Sequence, residues 1–152
     1  MPDAKCGFEQ DSRGPGQQLL VQLGPTLLVD VGFDPDFKPG SGTNPTLQLK
    51  GSRALIDTGA TQSCIDSGVA GALQLPIVDR QRVSGVGGVL EVNMHLAQIH
   101  IPELNLNIIG SFAGVELAAG GQPHIVLIGR TFLQHVTLLY EGTTGKVTIT
   151  RG

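Results

Sequence analysis

The sequence predicts an all-β fold with one or two short helices, on three observations. Glycine is abundant, 22 of 152 residues, while charged residues make up only 15%, a balance that suits a turn-rich β protein better than a helical bundle or a disordered chain. Short apolar runs follow one another between glycine- and proline-rich turns. Leu90, Val92, Met94 and Leu96 alternate with Glu91, Asn93 and His95, the period of a half-buried strand. A chain of this length fits one domain, large enough to bury a core without crosslinks.

The elements follow in order. Residues 1–18 are polar and carry Gly14-Pro15-Gly16, which predicts a flexible N-terminal arm ahead of a domain over residues 19–152. Leu19–Leu23 and Leu27–Val31 are short apolar runs parted by Gly24-Pro25, expected as strands. A proline- and glycine-rich loop spans Asp34–Pro45. It joins the second strand to the one ending at Asp57, or Leu47–Leu49 forms a separate small strand turning at Lys50-Gly51; the sequence leaves both open. Ile65, Val69 and Leu73 fall at helical spacing before Pro76, predicting one short helix capped by Asp66 or Ser67.

Ile77–Val83 leads into the glycine cluster Gly85–Gly88, and strand pattern on both sides makes that cluster a hairpin tip. A phosphate cradle would need a helix directly after it. Beyond Leu96 the apolar phase shifts to Ala97, Ile99 and Ile101, predicting a bulge or bend. Leu104–Ile109 and Phe112–Leu117 read as two strands, and Ala118–Gly121 as the turn before a strand at Ile125–Ile128. Gly129-Arg130 opens a short helix through Leu133. Val136–Tyr140 and Lys146–Thr150 form a closing hairpin around Gly142–Gly145.

Composition and motif search exclude several chemistries. A net charge of −3 argues against a general nucleic-acid surface. Cys6 and Cys64 cannot build a disulfide framework and leave room for at most one bridge. His95, His100, His124 and His135 are scattered, without metal-ligand spacing, so no metal and no cofactor is expected. The first residues lack an apolar signal segment, and no run is long enough to span a bilayer. The reading is a soluble cytoplasmic protein with no membrane or nucleic-acid partner.

Three segments carry a chemistry. Leu55-Ile56-Asp57-Thr58-Gly59-Ala60 delivers an aspartate from the end of an apolar strand into a tight turn, where Gly59 permits close passage of the chain. Val83-Ser84-Gly85-Val86-Gly87-Gly88-Val89-Leu90 is the glycine-rich tip, and Val126-Leu127-Ile128-Gly129-Arg130-Thr131-Phe132-Leu133 is an apolar run ending in Gly-Arg. In this order the three resemble the active-site loop, flap tip and Gly-Arg segment of retroviral-type (retropepsin-like) aspartic proteases, and the resemblance covers roughly Leu27–Ile149. It implies a closed acid-protease barrel with a β-hairpin flap. It further implies a homodimeric endopeptidase acting on polypeptides, with Asp57, Thr58 and Gly59 catalytic, Ala60, Gly85, Val86, Gly87 and Gly88 binding substrate, and Gly129 and Arg130 structural.

Asp66-Ser67-Gly68 also matches the aspartate signature, but it follows Asp57 by only 9 positions, too close to come from a second lobe. It is expected to cap the helix. The sequence departs from the family at Thr61, where an acidic partner for Arg130 is expected, and in its longer C-terminal hairpin. The alternative is a module of the same fold that binds peptide or dimerises without cleaving, with Asp57 as a structural hydrogen-bonding group.

Overall fold

The computed structural model describes residues 2–85 and 87–151. The N-terminal segment expected as a flexible arm is tied down. Strand β1 (Asp3–Lys5) pairs antiparallel with the last strand, Asp3 opposite Thr150 and Lys5 opposite Thr148. Ala4 and Cys6 are fully buried, and the Cys6 carbonyl accepts the Thr26 N–H at 2.7 Å. Polar composition hid this because alternate residues of so short a strand face water.

Helix α1 (Gly16–Leu23) stands where the sequence predicts a strand at Leu19–Leu23. Gly24, at φ 73°, ends it by donating its N–H to the Leu20 carbonyl at 2.9 Å. Gly16, Leu19 and Leu20 are buried while Val21 is 80% exposed. The helical period was present in Gly16, Leu19, Leu20 and Leu23, one face at i, i+3, i+4 and i+7.

Strand β2 (Thr26–Gly32) matches expectation, and the connection over 33–48 runs into a single strand β3 (Leu49–Ile56). Gly51 lies within that strand at φ +62°, so no separate hairpin forms there. Asp34 organises the loop, its carboxylate accepting the Asp36 and Thr46 N–H groups at 3.0 and 2.9 Å. Ile65, read as part of the helix, belongs to β4 (Cys64–Asp66), and α2 (Ser67–Ala72) follows with Asp66 as its N-cap. Strands β5 (Ile77–Gly85) and β6 (Gly88–Ile101) form a long antiparallel hairpin. After a 3-10 turn at Pro102–Leu104 comes β7 (Leu106–Val115), one strand where the sequence predicts two. Its pairing with β6 continues through Gly110 and Ser111 without a shift, so the small residues read as a break are carried by their neighbours' ladder. Strand β8 (Val126–Ile128), helix α3 (Arg130–Leu133), and the hairpin β9 (Val136–Glu141) and β10 (Lys146–Arg151) complete the chain.

The bulge expected in β6 lies instead on β5, where the register shifts between Ile77 and Asp79. The changed phase in β6 reflects two buried faces. Val92 and Met94 pack with Ala113 in a small cluster, while Ala97, Ile99 and Ile101 enter the main core.

The strand order β2-β3-β8-β4-β7-β6 returns to its start because β6 also pairs with β2, His100 opposite Asp30 and Ile99 opposite Val31. Six strands thus close into a barrel, and 47% of the chain is strand, which makes the fold the all-β, retropepsin-like barrel expected. Leu27, Val29, Val31, Ile65, Ile99, Val126 and Ile128 fill its interior. Outside it, β1, β10 and β9 form a three-stranded sheet. No helix among the described residues is long and apolar enough to cross a membrane.

Asp66 fastens α2 to the segment after β7. Its Oδ2 accepts the Val69 N–H at 3.1 Å, and its Oδ1 accepts the Leu117 and Ala118 N–H groups, each at 3.0 Å. These backbone donors, Ala118 foremost, hold the carboxyl below its usual range against the opposing effect of burial. A depressed folded-state pKa gives stability that is present above the unfolded value and lost as pH falls through the folded one. Asp66→Ala is expected to cost about 1–3 kcal/mol at neutral pH, by removing the cap and stranding buried N–H groups. The penalty should shrink in acid, and chemical denaturation at pH 7 and near pH 3 measures it. An equal penalty at both pH values would refute the assignment.

Candidate active site

The aspartate loop is built by two strands that run side by side. Strands β3 and β8 pair in parallel, Leu55 opposite Leu127 and Ile56 opposite Ile128, and both end at the same level. Asp57 then donates its N–H to the Ile128 carbonyl at 2.9 Å, and its own carbonyl accepts the Ala60 N–H at 3.2 Å. The carboxylate Oδ1 accepts the Gly59 N–H at 3.0 Å, an Asx turn that fixes the side chain over its own loop. A Cβ on Gly59 would lie 3.2 Å from that oxygen, so glycine keeps the turn open. Asp57 is half-buried.

The Gly-Arg segment grips this loop from behind. The Arg130 and Thr131 N–H groups donate to the Ala60 and Thr61 carbonyls at 2.8 and 3.0 Å, and the Gly129 N–H donates to Ser63 Oγ at 3.0 Å. A Cβ on Gly129 would come within 2.7 Å of the Gln62 carbonyl oxygen and 2.9 Å of that of Ala60. Glycine is required there by close approach rather than by an unusual backbone angle. The acid missing at Thr61 leaves Arg130 well bound nonetheless. Its guanidinium donates from Nη1 to the Thr58 carbonyl at 2.7 Å and from Nη2 to Thr61 Oγ1 at 3.0 Å. Thr58 itself is exposed, and among the described residues its hydroxyl makes no hydrogen bond.

Asp57 opens on a cavity of ≈ 830 Å³ between its loop and the β5–β6 hairpin, with Gly59, Ala60, Thr61 and Gln62 on one side and Arg82, Val83, Ser84, Gly87, Gly88 and Leu90 on the other. Ala113, Val115 and Leu127 add apolar surface. Asp57 is the one carboxylate among these lining residues. Of the residues expected to bind substrate, Ala60, Gly87 and Gly88 line this cavity. Gly85 ends β5 opposite Gly88, and Val86 lies outside the described residues. Ala113 and Val115 escape sequence reasoning because only the pairing of β3 with β8, β8 with β4 and β4 with β7 brings them to the Asp57 cavity. Gln62 and Arg82 had a signal, their nearness in sequence to the loop and the tip.

Competing chemistry is weak. Burial, and then the negative charge of Asp57, pushes the Cys64 thiol up, which disfavours the thiolate a nucleophile needs. Cys6 is pushed up to about 12 by burial, and both cysteines are free. His124 is buried and bonded to Thr26 Oγ1 and Gln122 Oε1 at 2.7 and 2.9 Å. Among the described residues no cluster of His, Cys, Asp or Glu could hold a metal ion.

A search of curated protein sequences finds no match. A family profile described as gag-polyprotein putative aspartyl protease matches residues 46–135, more than half of the chain and all three segments that form the loop, the hairpin and the brace. The chain belongs to this retropepsin-like aspartic protease family.

Proposed function

We propose that the chain is an aspartic endopeptidase that works as a homodimer, with Asp57 of each copy forming one catalytic pair. The observation that carries this reading is a half-buried carboxylate facing a cavity that contains no second carboxylate among its described lining residues. Hydrolysis of a peptide bond needs a base to deprotonate water and an acid to protonate the carbonyl oxygen. Two carboxyl groups about 3 Å apart share one proton and supply both functions, and their titrations belong to the pair. Water adds to the carbonyl carbon, its proton passing to the carboxylate. The tetrahedral intermediate then collapses, the C–N bond breaks, and the amine leaves with a proton from the pair. A twofold axis beside Asp57 would complete the site with an isologous interface. The exposure of Thr58 supports a role for its hydroxyl in donating to the partner's backbone, and the edge of β9, with Leu139 56% and Tyr140 52% exposed, offers apolar surface for a second copy to cover.

Incubation with an unfolded polypeptide in ¹⁸O-water tests the reaction. Direct attack by water should place one ¹⁸O in each new carboxyl terminus with no trappable acyl-enzyme. Absence of cleavage wherever the dimer is populated would reject the proposal in favour of a non-cleaving module.

The β5–β6 tip is proposed to act as a flap that closes over substrate. Gly88 sits at φ +106° with open space around it, a conformation that alanine adopts only with strain. Gly88→Ala should slow turnover several-fold while changing the melting temperature much less, because Gly88 lies outside the core clusters and the strain falls at the exposed end of the hairpin. Unchanged turnover would reduce the tip to an ordinary turn.

A further inference from the structure

The barrel wall has a gap. Strand β4 pairs with β7 only over Ala113–Val115, while β6 flanks β7 from Leu106 to Ala113. On the side away from β6, β7 therefore has no strand neighbour among the described residues from Leu106 to Phe112. The Ala113 N–H donates toward β4, to the Ser63 carbonyl at 3.1 Å, and main-chain groups of an antiparallel strand alternate sides. With the β6 register unbroken, Ser111, Ile109 and Asn107 also turn their N–H and C=O groups to the open side. The opposite strand keeps the same phase, since Leu96, paired with Ser111, sends its N–H away to the Pro76 carbonyl at 2.8 Å. This edge borders a groove of ≈ 650 Å³ whose other lining includes Thr131, Phe132 and His135. No Asp, Glu, Lys or Arg is among its described lining residues.

Gln62 lines both this groove and the Asp57 cavity, and its Oε1 is buried without a hydrogen-bond partner. Its orientation is fixed by a relay of amides. Gln81 Nε2 donates to the Asp79 carboxylate at 3.1 Å, which turns Gln81 Oε1 toward Gln62 Nε2 at 3.2 Å. Flipping Gln62 would set oxygen against oxygen, so the acceptor left over is its carbonyl. A buried acceptor without a donor is costly unless a ligand supplies one.

We infer that this groove docks a second stretch of the polypeptide whose scissile bond lies over Asp57. An uncharged, extended segment adds to β7 as a strand, bonding to Asn107, Ile109 and Ser111, and gives Gln62 Oε1 its missing donor. Four residue steps of edge span about 14 Å, room for about five residues of extended chain. The shared lining at Gln62 argues for one continuous occupant, and in this respect the inference rests on the protease reading.

The probe is a reduced, carboxymethylated unfolded protein, offered at up to millimolar concentration to the ¹⁵N-labelled Asp57→Asn chain. The amides of Asn107, Ile109 and Ser111 should shift, and Ile109→Pro should weaken this binding about tenfold by deleting an edge donor. That substitution spares the β6 ladder, because the Ile109 N–H faces the groove. In wild type, trimming the fastest-cleaved peptide to the residues around its scissile bond should raise KM about tenfold, with kcat unchanged. The Ile109→Pro chain should show no difference between trimmed and full-length peptides. Cleavage with no edge shifts and no effect of trimming overturns the docking inference alone. Edge shifts without cleavage by wild type uphold docking of an extended chain and overturn the protease reading instead.

Discussion

Asp57→Asn is expected to abolish peptide-bond cleavage in a chain that stays folded. Asparagine has nearly the volume of aspartate, and its carbonyl oxygen can still accept the Gly59 N–H that Asp57 Oδ1 accepts at 3.0 Å. The loop's other ties are main-chain bonds to Ile128 and the Arg130 brace, which the substitution leaves untouched. Stability should therefore change by less than about 1 kcal/mol. What disappears is the proton-transfer group, and with it at least about 10³-fold in kcat, because both carboxylates of a symmetric pair are altered together. Turnover of a peptide library between acid and neutral pH, measured beside thermal unfolding, checks both halves. Equal cleavage by the two proteins would remove Asp57 from the chemistry.

What the sequence revealed of this site depended on how local the determinant was. The Asp57 loop, the glycine tip and the Gly-Arg segment are each encoded within eight residues or fewer, and their order carries the family. The Asp66 cap was equally legible, since an aspartate before a short apolar helix has a local reason to be there. Arg130 was harder. Its expected acid is Thr61, and only the fold shows that a hydroxyl and the Thr58 carbonyl share the guanidinium. The missed helix α1 is an error of period, because Leu19–Leu23 was read as an apolar run although its buried residues lie at helical spacing. The buried β1 and the short β4 were illegible for another reason. Three-residue strands carry too little pattern, and their pairing with β10 and with β7 and β8 is set by contacts distant in the chain. The open edge of β7 is a consequence of that short β4, so it becomes visible only with the topology.

Specific activity is expected to rise with protein concentration until the dimer saturates, since a lone chain presents one Asp57 and hydrolysis needs two carboxyl groups. Adding nine D57N chains per wild-type chain should then cut wild-type activity about tenfold, because random exchange leaves only about one wild-type chain in ten with a wild-type partner. Thr58→Ala separates assembly from folding. The Thr58 side chain is exposed and makes no hydrogen bond among the described residues, so its loss should leave the monomer's unfolding curve in place while raising the dimer dissociation constant about thirtyfold, the cost of a hydrogen bond about 1 kcal/mol strong on each side of the axis. Sedimentation across a dilution series, read alongside activity, gives the dissociation constant twice by independent routes. If the two curves coincide, the active species is the dimer. A particle that remains monomeric at every dilution with undiminished activity would reject the shared pair, because Asp66, the only other aspartate followed by a hydroxyl residue and a glycine, is committed to Val69, Leu117 and Ala118.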